Sequence, residues 1–511
     1  MADYFLGVDI GTYESKGVIV DGTFHVVASH EEKHGMSYPA PGFFEHDAEK
    51  DWWGDFCKIT HALLTESGVK KEEIRAVGAS TLGADLVAVD RNCVALRPAM
   101  LYGIDARAGK EIAWLESQYS EEEILKFNGR PLCSNDIPPK MLWLKNNEPE
   151  IWQNAFKLIT GSTYITAKLT GKYYIDRFLG LGAFSPLYDR ITGEKDPEYC
   201  SLFCREDQLA DLADTTDLAG AVTACAAEET GLLEGTPVIV GADDSGAEAI
   251  STGVLEKGDM MLQVGSSLYM IGLTDHLISD KRVWSGGFII PGICSVQGGT
   301  NAAGTLTRWF RDTLFPEFLK EEQDGGENAF AAMADEAEKS VPGSHGLVML
   351  PYIAGERTPL NDPKARGVVL GLSLQHTRAD LYRAALESIG YSVRQHIEIF
   401  SENQVDIRKL YVVGGGTKNE LWMQIIADIT GRELCTSKVT LGASFGDAAM
   451  AAIGIGYIPG FPELRKYVEA GKVYVPREEY ADIYARLSSI FCRAYPDTRK
   501  LMHELSEQGN S

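Results

Sequence analysis

Residues 6–16 read Leu6-Gly7-Val8-Asp9-Ile10-Gly11-Thr12-Tyr13-Glu14-Ser15-Lys16 and lead into Val18-Ile19-Val20. Apolar runs on both sides predict a β-hairpin, whose tip needs glycine for positive φ and close approach. Such a tip presents bare backbone N–H groups beside a hydroxyl, which suits it to grip a phosphate without a helix terminus. A second stretch repeats the pattern about 250 residues later, as Met261-Leu262-Gln263-Val264-Gly265-Ser266-Ser267 before Leu268-Tyr269-Met270. One G-[ST] turn is weak evidence, since most are only turns. Two, one in each half of the chain, suggest a nucleotide phosphate tail held between two lobes.

The rest of the composition agrees with a large two-lobed globular chain. Its 511 residues exceed what one hydrophobic core usually supports, so two domains are expected. Apolar residues make up 44% and charged residues 24%, ordinary for a globular protein. The net charge of −25 argues against a nucleic-acid partner and against docking on anionic lipid. It leaves ATP open, because backbone amides, a few basic groups and Mg²⁺ suffice for a polyphosphate. No segment approaches the roughly 18 uncharged apolar residues of a membrane span. Asp3 and Asp9 interrupt the N-terminus where a signal peptide would be apolar. The nine cysteines are dispersed, and only Cys200 and Cys204 are close, which points to reduced thiols in the cytoplasm rather than zinc or disulfides.

Along the chain, short apolar strands at 5–8, 18–20 and 26–28 precede a helical pattern through 52–64, and strands at 74–79 and 86–89 follow. Residues 107–170 read mostly as helices. Val238-Ile239-Val240-Gly241 is a buried strand ending in Ala242-Asp243-Asp244-Ser245-Gly246, before a small-residue helix. Leu410-Tyr411-Val412-Val413 ends in Gly414-Gly415-Gly416 and opens a helix near Asn419, and the last sixty residues read as helical. The fold class is therefore α/β, with a domain boundary near residue 245.

The GADDSG turn places two carboxylates at the carboxyl end of a strand, where ligands bind in α/β sheets. Asp244 or Ser245 can cap the following helix, which leaves Asp243 free to face a cleft and accept a proton from an attacking hydroxyl. Asp9 either bonds its own hairpin backbone or faces the phosphate tail and positions Mg²⁺, directly or through water. Lys16 is either a solvated hairpin charge or a phosphate contact. Gly414-Gly415-Gly416 lacks both the Walker A and the G-x-G-x-x-G pattern, so a P-loop or dinucleotide fold is not supported. Its better reading is a floor under a flat nucleoside ring.

These pieces together resemble the FGGY family of carbohydrate kinases, and the resemblance covers nearly the whole chain. It rests on GVDIGTYESKGVIVD at 7–21, LRPAMLYGIDAR at 96–107, VIVGADDSGA at 238–247 and LQVGSSLYM at 262–270. AAGTLTRW at 302–309, PYIAGERTPLNDPKARGVVLGL at 351–372, VVGGGTKNELWMQIIADITG at 412–431 and LGASFGDAAMAA at 441–452 continue it. The resemblance implies two actin-like (ribonuclease H-like) ATPase domains, residues 1–245 and 246–511, with a cleft between them. It implies Asp243 as catalytic base and Asp9 with Asp243 as the metal-facing acids. ATP would meet Gly11, Thr12 and Lys16 on the first hairpin and Gly265, Ser266 and Ser267 on the second. Gly415, Gly416 and Asn419 would floor the adenosine, with Gly304 and Arg308 near the base or ribose.

The sugar side departs from the family. Xylulose kinases carry a Met-His pair, and glycerol kinases an Arg-Glu pair, where Gly83 and Ala84 stand here; Asp85 follows one residue later. The LYGIDAR segment holds one extra residue and adds Asp105 and Arg107 near the expected pocket. Tyr102 and Tyr269 align with aromatics that wall the sugar site, and Asp243 and Asp244 complete the expected substrate set. The leading expectation is ATP-dependent phosphorylation of a terminal hydroxyl on a ketopentose such as xylulose. A polyol or deoxysugar kinase (glycerol, ribulose or xylitol) is the alternative, and a non-catalytic actin-like regulator the reading from another class. The partners expected are a sugar, ATP and Mg²⁺, with a homodimer left open.

Overall fold

The computed structural model describes residues 3–438, 442–468 and 470–508. Strands β1 (Tyr4–Ile10), β2 (Glu14–Asp21), β3 (Val26–Lys33), β4 (Ile74–Thr81), β5 (Leu218–Ala221) and β6 (Pro237–Ile239) form the first sheet. Their order is β5-β6-β4-β1-β2-β3, and the short strand Ala242–Asp243 pairs further along β4. β1 runs antiparallel to β2 and parallel to β4, so Asp9 lies opposite Lys16 on one side and Ser80 on the other. Asp243 pairs with Thr81, one residue further along β4. Asp9 and Asp243 thus emerge at the carboxyl ends of the two strands that flank β4, where an open α/β sheet binds its ligands. Helix α1 (Gly54–Ser67) covers one face, and α2 (Asp244–Thr252) continues directly from Asp243.

The second sheet repeats the opening pattern. Its strands are β7 (Asp259–Val264), β8 (Leu268–Thr274), β9 (Trp284–Gly287), β10 (Cys294–Thr300), β11 (Lys409–Val413), β12 (Glu433–Ser437) and β13 (Ala470–Tyr474). The order is β9-β10-β8-β7-β11-β12-β13, with β7 antiparallel to β8 and parallel to β11. β13 corrects the reading of the last sixty residues as wholly helical. It is a largely exposed edge strand pairing only with β12, so its sequence lacks the apolar run that marks a buried strand. Helices α3 (Gly304–Leu314) and α4 (Glu420–Thr430) follow β10 and β11.

A further helix of this half, α5 (Ala443–Gly454), packs back on the first sheet. Small residues allow it. A Cβ on Gly7 would stand 2.0 Å from the Ser444 carbonyl oxygen, and one on Gly446 would stand 2.1 Å from that of Ala247. Helices α2 and α5 therefore cross almost backbone to backbone. An apolar cluster joining Phe5, Val18 and Val20 to Ile250, Met261, Ala448 and Met450 is buried between the two sheets. Among the described residues, no helix is long and apolar enough to cross a membrane.

Candidate active site

Both glycine turns form hairpins, but neither Gly11 nor Gly265 has positive φ, which corrects part of the reason for glycine there. Gly11 is needed for close approach, since a Cβ would meet the Glu14 carbonyl oxygen at 2.8 Å. At Gly265 the nearest atom would lie 3.7 Å away, an ordinary contact.

The two hairpin tips and the end of β4 surround a cavity of about 440 Å³. Thr12 comes from the first tip and Ser267 from the second, while Asp243, Asp244 and Ser245 come from the GADDSG turn. Gly83, Ala84, Tyr102 and Tyr269 line it as the sequence reading expected. A second cavity of about 750 Å³ lies beyond the second hairpin and gathers Gly265, Ser266, Gly304, Arg308, Gly415, Gly416 and Asn419. The five residues expected around the nucleoside meet there with Gly265 and Ser266 of the second phosphate hairpin. The second hairpin thus stands between the cavities.

Asp243 itself caps α2, which corrects the expectation that Asp244 or Ser245 would do so. Its Oδ1 accepts the Gly246 N–H at 2.9 Å and its Oδ2 accepts the Ser245 hydroxyl at 2.6 Å. Burial nevertheless raises its pKa to about 6, against the lowering effect of those hydrogen bonds. Asp244 is pushed well above the carboxylate range by burial and by the charges of Asp243, Asp9 and Glu248. Asp9 is raised to about 7, chiefly by burial, and accepts the Ser80 hydroxyl at 3.0 Å. The same Ser80 oxygen lies 2.7 Å from Asp447 Oδ2 on α5. One hydroxyl has one hydrogen, so one of these contacts is completed by a carboxylic acid proton. Asp447 is fully buried and is raised well above the usual range by burial and by the charge of Asp9.

Six expected residues line neither cavity: Asp9 and Gly11 on the first hairpin, and four whose side chains are engaged elsewhere. Lys16, opposite Asp9 in the hairpin ladder, pairs with Glu14 at 2.6 Å. Asp85 is buried beneath the cavity wall, where Oδ1 accepts the Gly161 N–H at 2.7 Å. Asp105 and Arg107 face each other in a buried pair at 2.7 Å, with Glu45 2.8 Å from Arg107 and the Phe44 N–H donated to Asp105 at 2.7 Å. They lock the 37–46 segment to the 101–107 segment instead of meeting a ligand. Their nearness to the pocket in sequence carried no information on side-chain direction.

Polar groups from distant loops take their place. Asn128, Arg130, Asn135, Gln297 and Arg357 line the first cavity. Arg130 is held by Asp136 at 2.6 Å, whereas the Arg357 guanidinium, among the described residues, bonds only backbone carbonyls, those of Leu268 at 3.2 Å and Thr300 at 3.0 Å. Its Nε is buried without a hydrogen-bond partner. Tyr269 donates to Gln297 Oε1 at 2.9 Å. Arg357 lies in the quoted GERTP motif, which was the only signal that could have found it. Against Asp243 the wall is bare, since Gly83, Ala84 and Leu179 offer no polar side chain.

The acid groups form one set of oxygen donors. Burial raises all five of Asp9, Asp243, Asp244, Glu248 and Asp447; neighbouring carboxylates add to it at Asp9, Asp244 and Asp447, and Lys16 opposes it at Asp9 and Glu248. Among the described residues, no three acidic, histidine or cysteine side chains are placed to hold a metal ion on their own. Such a set fits a hard cation that completes its shell with phosphate oxygens and water, as Mg²⁺ does.

Sequence comparison matches residues 4–251 to the N-terminal domain and 260–455 to the C-terminal domain of the FGGY family of carbohydrate kinases. The chain is 28% identical over 503 residues to a xylulose kinase of Staphylococcus epidermidis, covering 98% of each protein. It is 27% identical over 511 residues to a xylulose kinase of Lactococcus lactis, covering 99% of each. The crystal structure of xylulose kinase from Rhodospirillum rubrum superposes with a TM-score of 0.90 at 30% identity, covering 98% of this chain and 100% of that one.

Proposed function

This chain belongs to the FGGY family of carbohydrate kinases, and within it we propose transfer of the γ-phosphoryl group of ATP to a terminal hydroxyl of D-xylulose or a close ketopentose. The observation that carries the proposal is the placement of Asp243. It lines the cavity that both hairpin tips enter, and the second cavity beyond holds the glycine floor suited to a nucleoside. ATP would lie with its base over Gly415 and Gly416 and its phosphates along the second hairpin toward Thr12. The sugar would fill the first cavity between Tyr102 and Tyr269. Arg357, Gln297 and Asn135 supply donors and acceptors that Gly83 and Ala84 lack, so substrate hydroxyls are not left unpaired.

Asp243 accepts the proton of the attacking hydroxyl as its oxygen bonds to phosphorus and the bond to ADP breaks. A base with pKa about 6 is ionised at neutral pH and close enough to it to be effective. Its capping bonds aim the carboxylate, as a positioned base requires. Asp9 and Asp243 would hold Mg²⁺ directly or through water, and the ion would neutralise charge on the phosphate oxygens. Residues 1–245 and 246–511 would act as two lobes that close over both ligands and exclude water.

The bare wall of Gly83, Ala84 and Leu179 favours one second reading, a deoxysugar whose methyl group covers it. A coupled assay of ADP release across D-xylulose, D-ribulose, a 6-deoxyketose, xylitol and glycerol tests both. The proposal expects the highest kcat/KM with D-xylulose or D-ribulose. A preference for the deoxyketose by tenfold or more would install the second reading, and turnover of none would end both.

A further inference from the structure

Two histidines stand behind the first hairpin. His34 follows β3 directly and its side chain is only 3% exposed. Its Nε2 lies 3.0 Å from the Gly11 carbonyl oxygen and its Nδ1 lies 2.8 Å from Asp55 Oδ2 on α1. Both facing atoms are acceptors. Asp55 also takes the Ser15 hydroxyl at 3.1 Å and the Lys58 ammonium at 2.9 Å, as an ionised carboxylate does. Neutral imidazole has one N–H and can satisfy one of the two acceptors, whereas imidazolium satisfies both.

The surroundings support the charge. Burial works against it, but the bond to Asp55 and the charges of Asp55 and Asp51 prevail, and His34 is raised above its ordinary value. Glu32, on β3, is turned toward Lys58 at 3.9 Å. The group that opposes the charge is His46, whose ring centre is 5.0 Å away. His46 Nδ1 accepts the Trp52 indole N–H at 3.1 Å, so its hydrogen is on Nε2. Burial and the charge of His34 pull it to about 4, and it stays neutral, with Nε2 toward the Thr12 carbonyl but short of good hydrogen-bond geometry. The two rings thus face consecutive carbonyl groups of the tip.

We propose that His34, as an imidazolium bridging Asp55 and the Gly11 carbonyl, is a positioning residue that holds the first hairpin in its phosphate-binding shape. Fixing that carbonyl also fixes the peptide plane it shares with the Thr12 N–H, which lies outside the strand ladder and points away from His34. The proposal rests on the reading of this hairpin as a phosphate grip. Its pH sign follows from the raised value: the bridge is complete below the folded-state pKa of His34 and is lost as pH rises through it. Nucleotide binding should therefore weaken on the alkaline side.

Calorimetric titration of the full chain with MgADP from pH 6 to 9 tests this. His34→Gln should weaken MgADP at least tenfold at pH 6.5 and remove the alkaline weakening seen in the wild type. Asp55→Asn should move that weakening to lower pH by a unit or more while leaving the KM for D-xylulose within threefold. Identical pH profiles in wild type and Asp55→Asn would overturn the proposal. MgADP that fails to bind the wild type at any pH would overturn the phosphate-grip reading itself. Nitrogen NMR of labelled histidines needs no variant to be active: both ring nitrogens of His34 should be protonated at pH 7, and a neutral-tautomer pattern there would refute the bridge.

Discussion

Gly11-Thr12 and Gly265-Ser266-Ser267 open hairpins of similar sequence, but different donors meet the carbonyl groups behind them. Behind the first stands His34, a side chain that can lose its proton. Behind the second stands the start of α3: the Gly304 N–H reaches the Gly265 oxygen at 2.9 Å, and the N–H groups of Ala303 and Thr305 reach the Ser266 oxygen at 3.0 and 2.9 Å. These are the N–H groups that the first turn of a helix leaves without partners, and they do not titrate. Charge divides the same way. Asp9 belongs to the first hairpin and the acids of the GADDSG turn lie beside it, while the second tip carries hydroxyls alone. On the proposed reading of both hairpins as phosphate grips, one is supported by ionisable side chains and one by backbone, so pH and metal dependence should reside in the first.

The largest test of that contrast is removal of the metal. EDTA should abolish turnover, and Asp9→Ala should raise the Mg²⁺ concentration needed for half-maximal rate at least tenfold; Ser267→Ala should leave it unchanged. Equal metal dependence in both variants would erase the distinction between the hairpins. Next in size is the buried pair behind the first half. Arg107→Ala leaves the Asp105 carboxylate uncompensated and should cost about 3–5 kcal/mol of stability by denaturant unfolding. The sugar KM should stay within threefold, and a tenfold rise would return these charges to the substrate site. The smallest effect is on the backbone grip. A Cβ at Gly304 would stand 2.6 Å from the Gly265 oxygen, so Gly304→Ala should raise the KM for ATP about tenfold, or about 1.4 kcal/mol. That rise should be the same from pH 6 to 9, and a pH-dependent one would give the second hairpin a titratable support it lacks here.

The parts of the fold visible in the sequence are those written in backbone. Apolar strands bounded by glycine marked β1, β2, β7, β8 and β11, and the residues expected around the nucleoside meet in one cavity because a glycine motif needs no side-chain direction. The sugar side was harder because its polar groups are side chains from separate loops. Gln297 and Arg357 reach the cavity that Asp243 lines, and only the GERTP motif, for Arg357, gave a local sign of it. Asp85, Asp105 and Arg107 sit close to the pocket in sequence yet turn into the protein, where the Gly161 N–H meets Asp85 Oδ1 and Asp105 and Arg107 pair with each other. His34 was invisible for the same reason: its partner Asp55 lies on α1, across the sheet from nothing that the hairpin sequence contains.

The account's central claim is that Asp243 is the base of a sugar kinase, and the direct test is Asp243→Asn with turnover and binding measured on one preparation. Asparagine caps a helix as well as aspartate does, so α2 and the cavity should survive. Turnover of D-xylulose with MgATP should fall by about 10²–10⁴, with ADP and sugar still binding within a few-fold. A variant that keeps more than about a tenth of wild-type turnover would contradict the claim and pass the role to Asp244, whose carboxylate is its neighbour in the turn.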